Sequence, residues 1–206
     1  MPIITDIKQL KRSKGRFSVY VDGKYEFAFS DLDLGLSGLR IGQEISGEQI
    51  AEFKESGEES KAYNQAIRYL SYRPRSEREV RDYLVKKGLD EETAGQVIGR
   101  LQRAGLLNDR EFAAGWVANR QLLRPRSRRR LEQELMAKGV PSEQIGAALA
   151  ELDPEEELRA LMEVIVKRRR LSQYQEPEKL VGYLARQGYG YDLIRKALER
   201  LDSAPG

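Results

Sequence analysis

At three places in the chain, apolar positions recur at fixed offsets from a glycine. Counting from Gly88, Gly139 and Gly188, offsets +6, +9, +10 and +13 give Ala94, Val97, Ile98 and Leu101, then Ile145, Ala148, Leu149 and Leu152, then Ile194, Ala197, Leu198 and Leu201. Spacing of this kind puts each set on one face of a helix, a stripe that neighbouring helices must cover. Leu84, Leu135 and Leu184 stand four residues before the glycines, in LVKKG, LMAKG and LARQG. There the glycine suits the position after a helix, where a left-handed backbone ends it without steric penalty. Ahead of the first two copies stands the same tetrapeptide, Arg73-Pro74-Arg75-Ser76 and Arg124-Pro125-Arg126-Ser127, replaced by QEPE at 175–178 in the third. Each unit therefore reads as helix, basic turn, helix, glycine, short loop, helix.

These units are placed at 61–108, 109–152 and 153–206. Their first helices are expected from near Ser60, from near Asn108 with Glu111 as capping partner, and from Asp153-Pro154; the second helices from Ser76, Ser127 and Pro177. Core positions of the first helices are Tyr63, Ile67 and Leu70, then Phe112, Ala113 and Trp116, then Leu158, Leu161, Met162 and Ile165. Tyr63, Tyr69, Tyr72 and Tyr83 suggest a base-stacking platform, but aromatics at helical spacing are read here as core.

Upstream the period changes. Residues 16–30, RFSVYVDGKYEFAFS, alternate around Asp22-Gly23, the signal for a two-residue type I′ hairpin with strands near 16–21 and 24–29. Phe17, Val19 and Val21 share one face, as do Tyr25, Phe27 and Phe29. An isolated hairpin is marginal, so further strands are expected near 3–10 and 39–45. Ser46 and Gln49 form a capping box opening a helix, and GEES at 57–60 is expected to link this 1–60 module to the repeats. The predicted fold is mainly α: tandem three-helix repeats in an elongated, curved array behind a small β-rich N-terminal module.

Composition narrows the function. With 33% charged residues, 8% aromatics and a mean hydropathy of −0.63, the 206 residues suit an array of small units better than one large globule. Absence of cysteine excludes disulfides and thiolate metal sites, and absence of histidine removes the commonest general base and metal ligand. No GxGxxG, GxxxxGK[ST] or GxSxG segment is present. Neither an enzyme nor a bound cofactor or metal is expected. Acids at 90–92 and 155–157 fall in first helical turns and are read as caps. The start MPIITDIK lacks the features of a signal peptide and no run is long enough to span a membrane, so a soluble cytoplasmic monomer is expected.

Net charge is +3, but residues 61–108 carry +4 and 109–152 carry +2, against −3 over 1–60 and zero over 153–206. The sharpest feature is RPRSRRR at 124–130. If Ser127 caps the helix, Arg128, Arg129 and Arg130 occupy its first turn, where acids are favoured by about 0.3–1 kcal/mol each. The first repeat instead places Glu77 and Glu79 there. An external anion or acidic surface is therefore expected to supply the missing negative charge at 124–130. A solvated basic face, partly neutralised by Glu132 and Glu134, is the plain alternative. Candidate binding residues are Arg73, Arg75, Arg78 and Arg81; Arg124, Arg126, Arg128, Arg129 and Arg130; and Lys167, Arg168, Arg169 and Arg170. Lys8, Lys11, Arg12, Lys14 and Arg16 either touch phosphates or protect a sheet edge.

With these residues laid out, the chain resembles the RecX family of bacterial regulators of the RecA recombinase. The resemblance rests on RPRSEREVRDYLVKKG at 73–88, LLNDREFAAGWVANR at 106–120 and RRRLEQELMAKGV at 128–140, with LRIGQEIS at 39–46 similar to the β-rich extension of many members. It implies a non-enzymatic modulator lying along the groove of the RecA filament on single-stranded DNA. Such a protein suppresses ATPase, strand exchange and co-protease activity, tempering recombination and the SOS response. The alternative is a direct nucleic-acid binder with helix-turn-helix-like units gripping phosphates. An α-repeat scaffold for another acidic protein is a third reading.

Overall fold

The computed structural model describes residues 1–10, 15–123 and 125–203. Three antiparallel strands in the order β1-β2-β3 open the chain: β1 Ile4–Gln9, β2 Arg16–Val21 and β3 Lys24–Ser30. Asp22 and Gly23 both have positive φ (48° and 79°), as the type I′ turn between β2 and β3 requires. Val19, Val21, Phe27 and Phe29 are buried with Ile4, Leu39 and Ile45. Tyr25, expected to share a face with Phe27 and Phe29, is instead 58% exposed. A bulge between Val19 and Tyr20 shifts the register beyond Phe27, and Tyr25 meets Tyr20 edge-on at 6.2 Å.

Segment 39–45 forms no strand; it contributes one bridge, Ile3 to Glu44. Between it and the sheet lies a helix the hydrophobic pattern did not predict, α1 Asp31–Ser37, capped by Ser30, whose side chain accepts from the Asp33 N–H. The expected break at 57–60 is also absent. A single helix, α2 Gly47–Ser71, starts with the Ser46–Gln49 capping box and runs through it. Its polar residues have sideways partners: the buried Ser60 hydroxyl donates to Asp33, and Gly57 lies against β3. Phe53 packs on Phe27 and Phe29 at 5.7 and 5.5 Å. A Cβ on Gly57 would stand 2.6 Å from the Ala28 carbonyl oxygen, a backbone atom with little room to yield. Gly57→Ala should therefore destabilise by about 1–3 kcal/mol, read as a lower urea midpoint at unchanged slope.

The remaining helices come in threes. The first repeat combines the second half of α2 with α3 Glu77–Lys86 and α4 Glu91–Arg103; the second has α5 Asp109–Leu123, α6 Arg128–Ala137 and α7 Ser142–Ala150. The third has α8 Pro154–Arg169, a 3₁₀ turn at Ser172–Tyr174, α9 Pro177–Arg186 and α10 Tyr191–Ser203. Each repeat closes its own apolar cluster. Ala94, Val97, Ile98 and Leu101 are all buried, whereas the later stripes bury Ile145 with Ala148 and Ile194 with Ala197 and leave their last two residues half-covered. Ala62 and Ala66 form the buried line of the first repeat's opening helix, flanked by Tyr63, Ile67 and Leu70. Tyr69 stacks on Tyr83 at 4.1 Å, so neither ring stands as a free platform. Gly88, Gly139 and Gly188 have φ of 94°, 77° and 91°, as the helix-ending role requires.

The chain divides into two compact units, Met1–Pro74 with Val80–Leu107, and Arg75–Glu79 with Asn108–Gly206. The first turn of α3 thus belongs with the second unit. Among the described residues no helix is long and apolar enough to cross a membrane.

Candidate interaction surface

The arginine-rich start of α6 is built as a joint. Ser127 is the N-cap: its hydroxyl accepts from the Arg130 N–H at 3.2 Å and donates to the Gln187 carbonyl at 2.8 Å. The Arg128 backbone N–H, one of the orphan donors of the helix start, goes to Glu157 Oε1 at 3.0 Å. Its guanidinium also turns inward, lying 3.3 Å from Glu157 and donating to the Leu152 carbonyl at 2.5 Å. For Arg128, negative charge at this helix end is therefore supplied by Glu157 of the third repeat. Sequence alone does not reveal this contact, because Glu157 lies in the first turn of α8, where an acid is already explained by its own helix dipole.

Arg129 and Arg130 do not join this arrangement. Both are exposed, and with Gln133, Arg186, Gln187 and Gly188 they line a cleft of about 200 Å³. Glu134, one of the expected local neutralisers, is engaged by Trp116 Nε1 at 3.0 Å and Arg120 Nε at 2.8 Å, leaving Arg130 at 3.9 Å. Among the described residues no acid pairs with Arg129 or Arg186. Arg186 was not a sequence candidate; its signal is its place two residues before Gly188, where the first repeat has Lys86. Arg126 is half-buried, with its Nε enclosed and unpartnered among the described residues. Arg124 lies outside the described residues, as do Lys11, Arg12 and Lys14.

Arg73, Arg75, Arg78 and Arg81 of the first repeat are each engaged within the structure. Arg73 donates to the Pro74 carbonyl at 2.9 Å, Arg81 lies 3.4 Å from Glu91, and the Arg78 stem covers Gly139. Arg75 is half-buried. Ser76 repeats the joint of Ser127, accepting from the Glu79 N–H at 3.2 Å and donating to the Lys138 carbonyl at 2.6 Å. The Glu77 N–H goes to Asp109 at 2.7 Å. Burial pushes the Asp109 carboxyl above its usual range, opposed by that bond and reinforced by Glu77 and Glu79.

Lys167, Arg168 and Arg169 fill the last turn of α8, where cations complement the helix dipole. They diverge from one another. Arg168 lies over the Tyr183 ring at 4.7 Å, Arg169 pairs with Asp202 at 2.9 Å, and Lys167 is 3.7 Å from Glu163. Lys167 and Arg170 line a separate shallow groove with Met162, Val166 and Leu201. At the other end of α8, Glu155 is gripped by Arg200 at 2.6 Å and Lys196 at 3.1 Å. The bond from Arg200, then that from Lys196, hold its carboxyl down to about 2. A depressed carboxylate stabilises above its ordinary pKa and loses that contribution as pH falls through the folded value. Carboxyl NMR should place the Glu155 midpoint near 2, and Arg200→Ala should return it toward the ordinary carboxylate range.

Four family models match the chain. They are the regulatory protein RecX N-terminal domain over residues 2–46, and the first, second and third three-helix domains of RecX over 62–101, 108–149 and 155–198. The regulatory protein RecX of Bacillus subtilis is 32% identical, with 98% of this chain and 78% of that protein covered. That of Lactobacillus gasseri is 34% identical, covering 98% and 76%. A crystal structure of regulatory protein RecX superposes with a TM-score of 0.82 at 25% identity, covering 97% of this chain and 100% of that one. A crystal structure of RecX from Lactobacillus salivarius has the same fold, with a TM-score of 0.67 at 24% identity and coverage of 72% and 99%. In sequence and in fold, from the N-terminal sheet to the third repeat, the chain belongs to the RecX family of regulatory proteins.

Proposed function

We propose that this chain is a non-enzymatic cytoplasmic regulator that binds as a monomer to RecA filaments on single-stranded DNA. It lowers their ATPase, strand-exchange and co-protease activities and so tempers recombination and the SOS response. The reading is supported by the name its relatives carry. The observation that carries it is the cleft holding Arg129, Arg130 and Arg186, three guanidinium groups with little internal neutralisation. Planar guanidinium forks pair two-pronged with carboxylate and phosphate alike, and a nucleoprotein filament presents both. Arg128 lies outside this set, because its charge is spent on Glu157.

The test is to titrate the protein into RecA filaments on single-stranded DNA and follow ATP hydrolysis. Wild type should suppress it. A variant carrying R129Q, R130Q and R186Q should keep the same thermal midpoint and need about tenfold more protein for the same suppression, as expected for a loss near 1.4 kcal/mol. Unchanged ATP hydrolysis, together with tight binding to naked DNA that falls linearly in log salt, would instead favour the direct nucleic-acid binder.

A further inference from the structure

Two of the three helix-ending glycines are covered by an incoming helix start, and the third is bare. The Arg78 stem lies over Gly139, and Ser127 lies over Gly188, its Oγ 2.6 Å from where a Cβ would sit. Each incoming helix is held by the same two hydrogen bonds, and a third position differs between them. Its capping serine donates to the carbonyl just before the glycine, Ser76 to Lys138 and Ser127 to Gln187. Its first backbone N–H goes to a carboxylate in the opening turn of the receiving repeat's first helix, Glu77 to Asp109 and Arg128 to Glu157. Its third residue suits the side chain before the glycine: Glu79 pairs with Lys138 at 3.0 Å, whereas Arg130 shares a cleft with the uncharged Gln187.

The first repeat carries the receiving half of this joint with nothing in it. Gly88 has the same left-handed backbone, and no atom lies within 4 Å of its Cβ position. Among the described residues nothing donates to the Lys87 carbonyl, and the Lys87 ammonium has no acid, resting 5.7 Å from the Tyr83 ring. Glu58, inside α2 rather than in an opening turn, precedes Ser76 by 18 residues, as Asp109 precedes Ser127. The same offset aligns the buried Ala62 and Ala66 with Ala113 and Val117. Glu58 is exposed and, among the described residues, unpaired.

We propose that Glu58, Lys87 and Gly88 form an open receptor for the start of a helix belonging to a partner protein, capped by serine and carrying an acid at its third position. Charge sets that last requirement, because Lys87 stands where Lys138 stands and favours glutamate over arginine opposite it. A second copy of this chain is a poor occupant. Its Ser76 and Ser127 helix starts are already seated, and at the Ser30 start of α1 the Ser30 hydroxyl and Asp33 are engaged with each other and with Ser60. The α9 helix begins at Glu176 with no side-chain cap bond and at Pro177 with no N–H to give.

The probe is a stapled helical peptide copying residues 75–87, titrated into the full ¹⁵N-labelled chain, so the outcome does not depend on the recombinase. Amide shifts should concentrate at Lys87, Gly88 and Leu89. Ser76→Ala or Glu79→Lys in the peptide should each weaken binding about tenfold, the loss of one hydrogen-bonded or ionic contact. A peptide copying 126–138 should bind as weakly as the Glu79→Lys peptide. Gly88→Asn in the protein keeps a left-handed backbone but fills the space, so it should abolish the shifts while its spectrum shows an intact fold. Shifts indifferent to these changes, shifts at Gly139 or Gly188 instead, no shifts at millimolar peptide, or self-association of the chain through Gly88 in sedimentation would each overturn the proposal.

Discussion

Ser127→Ala should lower the stability of the protein by about 2–4 kcal/mol, far more than a cap substitution normally costs. Ser127 is 1% exposed and its hydroxyl makes two bonds of different kinds. As an acceptor from the Arg130 N–H it caps α6, and losing a cap is worth about 1 kcal/mol. As a donor to the Gln187 carbonyl it satisfies a group at the end of α9, and stranding a buried acceptor costs a further 1–3 kcal/mol or so. Ser46→Ala is the matched control. That serine caps α2 in an exposed position, so only the first contribution is lost. Urea midpoints of the two variants separate capping from docking. Equal losses would mean that the bond to Gln187 contributes nothing.

Gly188→Ala should cost about 3 kcal/mol and Gly88→Ala about 1 kcal/mol, although both glycines have nearly the same backbone conformation. The shared part is the left-handed penalty that any Cβ incurs at φ near 90°. The difference is what lies above. At Gly188 a methyl group would stand 2.6 Å from Ser127 Oγ and 3.4 Å from Arg129 Cβ, and the serine can retreat only by giving up its two hydrogen bonds. At Gly88 the methyl enters open space. Thermal or urea unfolding of both variants under one set of conditions checks the pair, and comparable losses would remove steric docking as the cause.

The repeats were legible because three helical stripes and three glycines are written at nearly constant offsets, a local pattern that a linear reading recovers. The hairpin was legible for the same reason, since Asp22-Gly23 sets its own turn. What escaped depends on contacts between distant segments. GEES at 57–60 reads as a linker by polarity, yet Ser60 is buried against Asp33 and Gly57 is the only residue type that fits against Ala28, so the helix continues. Helix α1 carries a serine cap with an acid at its third position, but it buries none of its residues and leaves no apolar stripe to read. At the candidate surface, counting arginines along the sequence cannot tell which guanidinium groups are drawn into internal contacts and which are left facing outward. Arg128 and Arg129 are neighbours in sequence, and one faces Glu157 while the other faces a cleft shared with Arg186, more than fifty residues away.

The split membership of α3 bears on anyone who wishes to divide the chain for expression. Arg75–Glu79 counts with the second unit and Val80 onward with the first, so a cut at either edge of the helix removes half of a joint. A fragment starting at Asn108 would present Asp109 and the Lys138 carbonyl to water with no donor, whereas one that keeps residues from Arg75 would carry a helix stripped of its own repeat. Gene truncation at the borders of the internal repeats, the natural first choice, therefore exposes severed seams rather than finished surfaces.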